Sequence, residues 1–149
     1  MGTLHGRVAR ALARRAGVRV FRFFERPLAG AEAPAAPAGL QLRLLDAAEV
    51  VALCAEPDHE LAAERVCEAY ERGDLCAGAF EGARLAGYCW FAFSRLPHLD
   101  GVSVDFAPQA VWIYKSLVLP PHRGRGVAPA LYGLAGIASS ERRRSRSLI

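Results

Sequence analysis

The residues with the clearest chemistry lie in one run, Val118-Leu119-Pro120-Pro121-His122-Arg123-Gly124-Arg125-Gly126-Val127-Ala128, where an apolar strand gives way to a glycine-bearing loop and then a helix. Such a run is suited to holding an anion. Gly124 and Gly126 reach backbone conformations closed to other residues and let main-chain N–H groups come close to a ligand. Arg123 and Arg125 add positive charge, and a helix starting near Gly126 directs its unpaired N–H groups and the positive end of its dipole at the same place. The chemistry implied is a phosphate or pyrophosphate cradle. The two common phosphate-loop patterns do not fit: no Lys-Ser/Thr follows the loop, and Gly124-Arg125-Gly126-Val127-Ala128-Pro129 lacks the third glycine of the dinucleotide fingerprint. A basic turn between strand and helix, holding no ligand, is the plain structural reading of the same residues.

The spacing resembles motif A of the GNAT N-acetyltransferase superfamily, V-x-P-x-x-[RQ]-x-x-G-x-[GA], matched here by Val118, Pro120, Arg123, Gly126 and Ala128. The resemblance implies acetyl-coenzyme A as cosubstrate. It assigns the pyrophosphate to main-chain amides of Arg123, Gly124, Arg125, Gly126, Val127 and Ala128, and the pantetheine arm to the backbone of Leu117, Val118 and Leu119. The reaction it implies is direct attack of a neutral amine on the acetyl thioester. That reaction needs a base for the amine proton and a main-chain donor near Val118 for the developing oxyanion. The acceptor, an amine of a small molecule or a protein, is not readable from the loops at 55–60 and 97–108.

Some members of the family place a base glutamate near the start of the fourth strand, where this chain has Trp112, and no carboxylate lies between Val111 and Leu119. Asp100, Asp105, His98 and Tyr114 are the substitutes at hand, directly or through water, and each reads equally as structural or solvated. His122 is expected to meet phosphate or solvent, and His5 and His59 have no evident partner. The catalytic residues stay unassigned at this level. A non-catalytic module that retains cofactor contact, or that uses a basic arm to bind a partner, is the alternative reading.

The elements that must position these residues follow from periodicity. Leu40-Gln41-Leu42-Arg43-Leu44 alternates like a half-buried strand. Asp46 is placed to cap a helix through about Ala55, and a second helix is expected near His59–Arg72, ended by Gly73. Its apolar stripe is Leu61, Ala62, Val66, Ala69 and Tyr70, with Glu60, Glu64, Glu68 and Glu71 on the wet side. Leu75–Phe80, a Glu81-Gly82 turn and Leu85–Phe93 read as a hairpin. Residues 94–109, with Pro97, Gly101 and Pro108, read as a loop with an extended piece at Val102–Phe106. Val111–Leu119 is a strand, and Gly126 to about Ser140 a helix that tolerates Pro129 in its first turn. This order is that of the first half of a GNAT fold. The fold class expected is therefore α/β (α+β), a mixed, mainly antiparallel sheet flanked by helices. Sequence for the fifth and later strands is lacking after the third core helix, so Val111–Leu119 would be an open edge with Trp112, Ile113, Leu117 and Val118 uncovered and prone to homodimerise.

Composition bounds the rest. With 149 residues, 52% of them hydrophobic, the chain suits one core. The net charge of +4 is uneven: +6 over residues 1–26, −5 over 27–140 and +3 over 141–149, so the domain is acidic and no nucleic-acid-binding face is expected. Residues 1–28 form a basic arm in which Leu4, Val8 and Leu12 suit a short amphipathic helix and Phe21, Phe23 and Phe24 suit docking. Its composition also fits peripheral contact with an anionic membrane or a transit peptide. Residues 29–39 are an Ala/Pro linker, 40–140 the GNAT-like domain, and 141–149 a basic polar tail. Cys54, Cys67, Cys76 and Cys89 have no C-x-x-C pairing, so no metal site or disulfide framework is expected, and buried thiols in a cytoplasmic protein are. No apolar run reaches bilayer-spanning length. Lys115 is the only lysine, a bias that reads as bacterial base composition.

Overall fold

The computed structural model describes residues 25–27, 35–99, 102–141 and 146–148. The expected arm helix, Phe21, Phe23, Phe24, His5 and Asp100 lie outside them, as does the side chain of His98.

Asp46 ends strand β2 (Gln41–Leu45) and starts helix α1 (Ala47–Leu53). Its carboxylate accepts from the Glu49 N–H at 2.8 Å while Glu49 Oε2 accepts from the Asp46 N–H at 3.0 Å, a reciprocal cap for two otherwise orphaned donors. A 3-10 turn at Pro57–His59 follows, and helix α2 covers Ala63–Glu71. The second helix therefore starts later than its apolar pattern suggests, because Pro57 sets the tight turn and Glu60 takes a left-handed φ of 54° before the chain can coil again. Strands β3 (Leu75–Glu81) and β4 (Arg84–Ala92) form the hairpin, and β7 (Ala110–Val118) pairs with β4. Helix α3 (Val127–Glu141) begins directly after the glycine loop.

β4 is central, and every residue from Leu85 to Ala92 is buried. Alternate residues along the sheet serve two cores. On one face Cys76, Phe80, Tyr88 and Trp90 pack against Val50 of α1 and Val66 and Ala69 of α2. On the other, Ala77, Ala79, Cys89, Phe91, Val111 and Ile113 pack against Val127 and Leu131 of α3. The result is helix, sheet and helix in three layers, with one helical layer ending at the glycine loop.

Two further stretches differ from the sequence expectation. The extended piece expected at Val102–Phe106 is strand β6 (Val102–Asp105), but residues 94–109 also hold β5 (Arg95–Leu99), and the two form a separate two-stranded sheet. Pro97 masks β5 as a strand, yet it is tolerated in a sheet with no further neighbours. The polar tail also contributes a strand. β8 (Arg146–Leu148) runs parallel to β7, with Ala110, Val111 and Trp112 opposite Arg146, Ser147 and Leu148, and β1 (Glu25–Pro27) pairs antiparallel on its outer side. The sheet order is β1-β8-β7-β4-β3-β2, so the sheet continues beyond the third core helix. Trp112 and Ile113 are each 5% exposed, contrary to the open edge expected of them, with Trp112 seated edge-on to Phe106 at 5.8 Å.

Candidate cofactor cleft and adjoining cavity

β7 and β8 pair only over Ala110–Trp112, so among the described residues Ile113–Val118 has no ladder partner on the side away from β4. That half-open edge leads into the glycine loop. Pro120–His122 forms a 3-10 turn, Gly124 and Gly126 take φ of +74° and +78°, and α3 begins one residue later. Among the described residues the N–H groups of Gly124, Arg125, Gly126, Val127 and Ala128 have no intramolecular acceptor, and Pro129 has no N–H. The first main-chain bond of the helix is Ala130 N–H to Gly126 O at 3.2 Å. Unpaired donors at a helix start favour an anion. They border a cleft of about 540 Å³ that also touches Ser116, Leu117 and Val118. A Cβ on Gly124 or Gly126 would meet nothing within 4 Å, so both positions face open space.

Of the nine sequence-selected residues, Leu117, Val118, Arg123, Gly124, Gly126, Val127 and Ala128 line the cleft, whereas Arg125 and Leu119 do not, the Leu119 N–H donating to Ala86 O at 2.9 Å. The arginine side chains do something other than expected. Arg123 Nε donates to Val118 O at 3.0 Å, folding back on the strand end. Arg125 reaches Glu81 Oε1 at 3.2 Å and the Ala38 carbonyl at 3.3 Å, which ties the loop to the β3–β4 turn. The groups left free to meet an anion are therefore the main-chain donors at the helix start, since Arg123 and Arg125 are engaged with Val118 O and Glu81. His122 is 8% exposed, has its Nδ1 3.2 Å from Arg125 Nη1, and borders the cleft.

A second hollow, about 210 Å³, opens beside Tyr114 and Lys115 on the same strand. Its walls are the 60–62 loop, α2 and Leu96, with Trp90 beneath. Its rim is fixed from several directions: His59 Nδ1 lies 2.9 Å from Leu53 O, Tyr88 donates to His59 O at 2.8 Å, and Lys115 Nζ donates to Glu60 O. Tyr114 donates to Asp74 Oδ2 at 3.2 Å, and Arg72 Nη2 lies 2.8 Å from the same oxygen. Asp74 is 2% exposed. Burial pushes its carboxyl above the ordinary range against the pull of Arg72 and Tyr114, and burial with the neighbouring Asp74 pushes the Tyr114 phenol up.

Of the suggested bases, Tyr114 alone is found at a hollow with its hydroxyl described. Asp105 is solvated and paired with Arg95 at 3.1 Å. Sequence reading missed Asp74, which sits after Gly73 and reads as a turn residue, and missed Lys115 and Glu60 as cavity residues. The left-handed Glu60 had no local signature, since glycine or asparagine is the usual occupant of that conformation. Among the described residues no group of His, Cys, Asp or Glu is placed to hold a metal ion, and the cysteines are free, with Cys76 and Cys89 buried and Cys67 exposed. No described helix is long and apolar enough to cross a membrane.

No protein-family model and no curated protein matches the chain. Solved structures do. The yncA protein of Salmonella typhimurium, solved with its cofactor acetyl-CoA, aligns over 71% of this chain and 66% of its own, at 17% identity and a TM-score of 0.51. A Trypanosoma brucei acetyltransferase aligns over 70% and 78%, at 16% identity and a TM-score of 0.50. A tandem GNAT protein from the clavulanic acid biosynthesis pathway aligns over 93% of this chain and 48% of its own, at 20% identity and a TM-score of 0.52. The chain spans less than two thirds of the length of the first and about half of the last. It has the GNAT acetyltransferase fold, a mainly antiparallel sheet between helices.

Proposed function

We propose that the chain binds acetyl-coenzyme A in the β7–α3 cleft and carries the cofactor half of an N-acetyltransferase acting on an amine. The observation that carries this reading is the run of unpaired N–H groups from Gly124 to Ala128 at the end of a half-open strand. Five convergent donors suit a pyrophosphate, and a strand edge free from Ile113 to Val118 suits an amide-bearing arm that pairs like a missing strand. When bound, acetyl-coenzyme A supplies the activated acetyl group. The chain's own residues orient it: the loop N–H groups fix the charged end, and Ser116–Val118 offer main-chain donors and acceptors alongside. The adjoining cavity at Tyr114 and Lys115 then receives the acceptor amine. A non-catalytic role as a cofactor-holding module is the second reading, favoured by the lack of any carboxylate on β7.

Calorimetry with coenzyme A tests the cleft, and thiol release from acetyl-coenzyme A in the presence of primary amines tests the reaction. Binding with turnover supports the enzyme, and binding without turnover assigns the module. Absence of binding to the folded chain overturns both. Bound ligand at about a hundred times Kd is expected to add roughly 2.7 kcal/mol to the unfolding free energy.

A further inference from the structure

β7 passes from the cofactor cleft at Ser116–Val118 to the smaller cavity at Tyr114 and Lys115 through an irregularity in its pairing. Trp90 is opposite Lys115 and Phe91 is opposite Ile113, which leaves Tyr114 as the extra residue of a bulge. A bulge re-aims the side chain it carries. Here it brings Tyr114 to the cavity wall and its hydroxyl 3.2 Å from Asp74 Oδ2. Asp74 itself is not at the wall: its side chain is 1% exposed, enclosed by Arg72 and Tyr114. A buried carboxylate is thus joined to a cavity by one phenol.

We propose that Tyr114 accepts the proton of an amine seated in this cavity while passing its own phenolic proton to Asp74. Tyr114 is the catalytic residue, and Asp74, acting through it, the positioning residue. The inference rests on the acetyl-transfer reading. In the step, an amine N–H bond breaks and its proton goes to the Tyr114 oxygen as the Tyr114 proton moves to Asp74 Oδ2. The nitrogen pair forms the new bond to the acetyl carbon, and the C–S pair leaves with sulfur as the coenzyme A thiolate. Asp74 then returns its proton to water through Tyr114.

The surroundings suit this division of labour. Burial raises the proton affinity of Asp74 above that of a solvated carboxylate, and Arg72 and the Tyr114 hydroxyl pull the other way. The Tyr114 phenol, buried and beside Asp74, resists ionising and so relays a proton instead of holding a charge. Tyr70 of α2 and Cys76 of β3 are the other titratable groups packed near, both pushed up by burial. Around the cavity, Arg65 is paired with Glu68, and Lys115 is held on the Glu60 carbonyl.

Full-length chain, Tyr114→Phe and Asp74→Asn are compared with acetyl-coenzyme A and primary amines from ethylamine to 2-phenylethylamine. Tyr114→Phe keeps the ring against Trp90 and is expected to lower kcat roughly 100-fold, with KM for the amine and coenzyme A binding within about twofold. Asp74→Asn is expected to lose the rise of kcat/KM with pH that accompanies ionisation of Asp74. If that variant does not fold, Tyr114→Phe carries the kinetic test. A second readout needs no cofactor: with 13C-labelled aspartate carboxyls, the resonance missing in Asp74→Asn should titrate above the solvated carboxylates, and move higher still in Tyr114→Phe as a donor is lost. Unchanged kcat in Tyr114→Phe, or an Asp74 resonance that titrates with the solvated carboxylates, overturns the relay. No turnover by the parent chain while coenzyme A binds also overturns the relay and leaves the cofactor site standing, whereas failure to bind coenzyme A removes the acetyl-transfer reading beneath it.

Discussion

Gly126 holds φ at +78° with nothing within 4 Å of where a Cβ would stand, so a side chain there meets backbone strain and any ligand but no protein atom. The strain is roughly 1–2 kcal/mol for a non-glycine residue. Gly126→Asp should therefore fold, with a modest loss of stability, and lose about tenfold or more in coenzyme A affinity as a carboxylate faces the pyrophosphate, equivalent to about 1.4 kcal/mol. Calorimetry that finds equal affinity in the folded variant would remove the loop from the site. The buried acids make a second residue-scale prediction. Burial pushes the Cys76 thiol up to about 12 and the Cys89 thiol well up, and raises the phenols of Tyr70 and Tyr88. Each is neutral when protonated and has its folded pKa above its unfolded one. Its contribution to stability is complete below the unfolded pKa and is lost as pH climbs toward the folded value, by about 1.4 kcal/mol per pH unit per group in that window. Urea midpoints under reducing conditions should fall between pH 8 and pH 10.5, and constant midpoints would contradict the burial. The glycines and the motif were legible in sequence because a left-handed backbone demands a residue type. Asp74 was not, because its role depends on Tyr114, forty positions away.

At the scale of elements, β7 lies against β4 more closely than side chains normally allow. A Cβ on Gly87 would stand 2.7 Å from Leu117 O and 3.2 Å from Val118 Cα. These are backbone atoms that cannot swing away. Gly87→Ala should push the end of β7 off β4 at the residues bordering the cofactor cleft, costing roughly 1–3 kcal/mol as overpacking does, with a parallel loss of coenzyme A affinity. Thermal denaturation and calorimetry on one variant check both, and an unaltered variant would mean the two strands are not held that close. The long elements were readable from periodicity because each buries one face or stripe against the sheet. β5 and β8 were not. β5 carries Pro97, and β8 is a polar Arg146-Ser147-Leu148 segment whose strand geometry comes from its neighbours β7 and β1 and not from its own propensity. The bulge at Tyr114 was equally silent, since an extra residue shows only when two strands are set side by side.

The molecule as a whole is a sheet that closes firmly on one side and loosely on the other. β2, β3, β4 and β7 are laddered along most of their lengths, whereas β7 meets β8 over three residues and β8 in turn holds β1 over three. β8 pairs only with the start of β7, and the cleft lies at the other end of that strand, at Ser116–Val118, so among the described residues main-chain groups of Ile113–Val118 are open to another strand. β8 guards the start of that edge, opposite the buried Trp112. Deleting residues 142–149 should uncover Ala110–Trp112, release β1, and let a second copy add along β7. Sedimentation velocity should then show more self-association in the shortened chain than in the parent at the same concentration, and, on the proposed binding of coenzyme A along the same edge, its addition should shift the shortened chain back toward monomer. If the shortened chain stays as monomeric as the parent, β8 does not guard the edge, and the open stretch of β7 is protected by something other than its pairing with the tail strand.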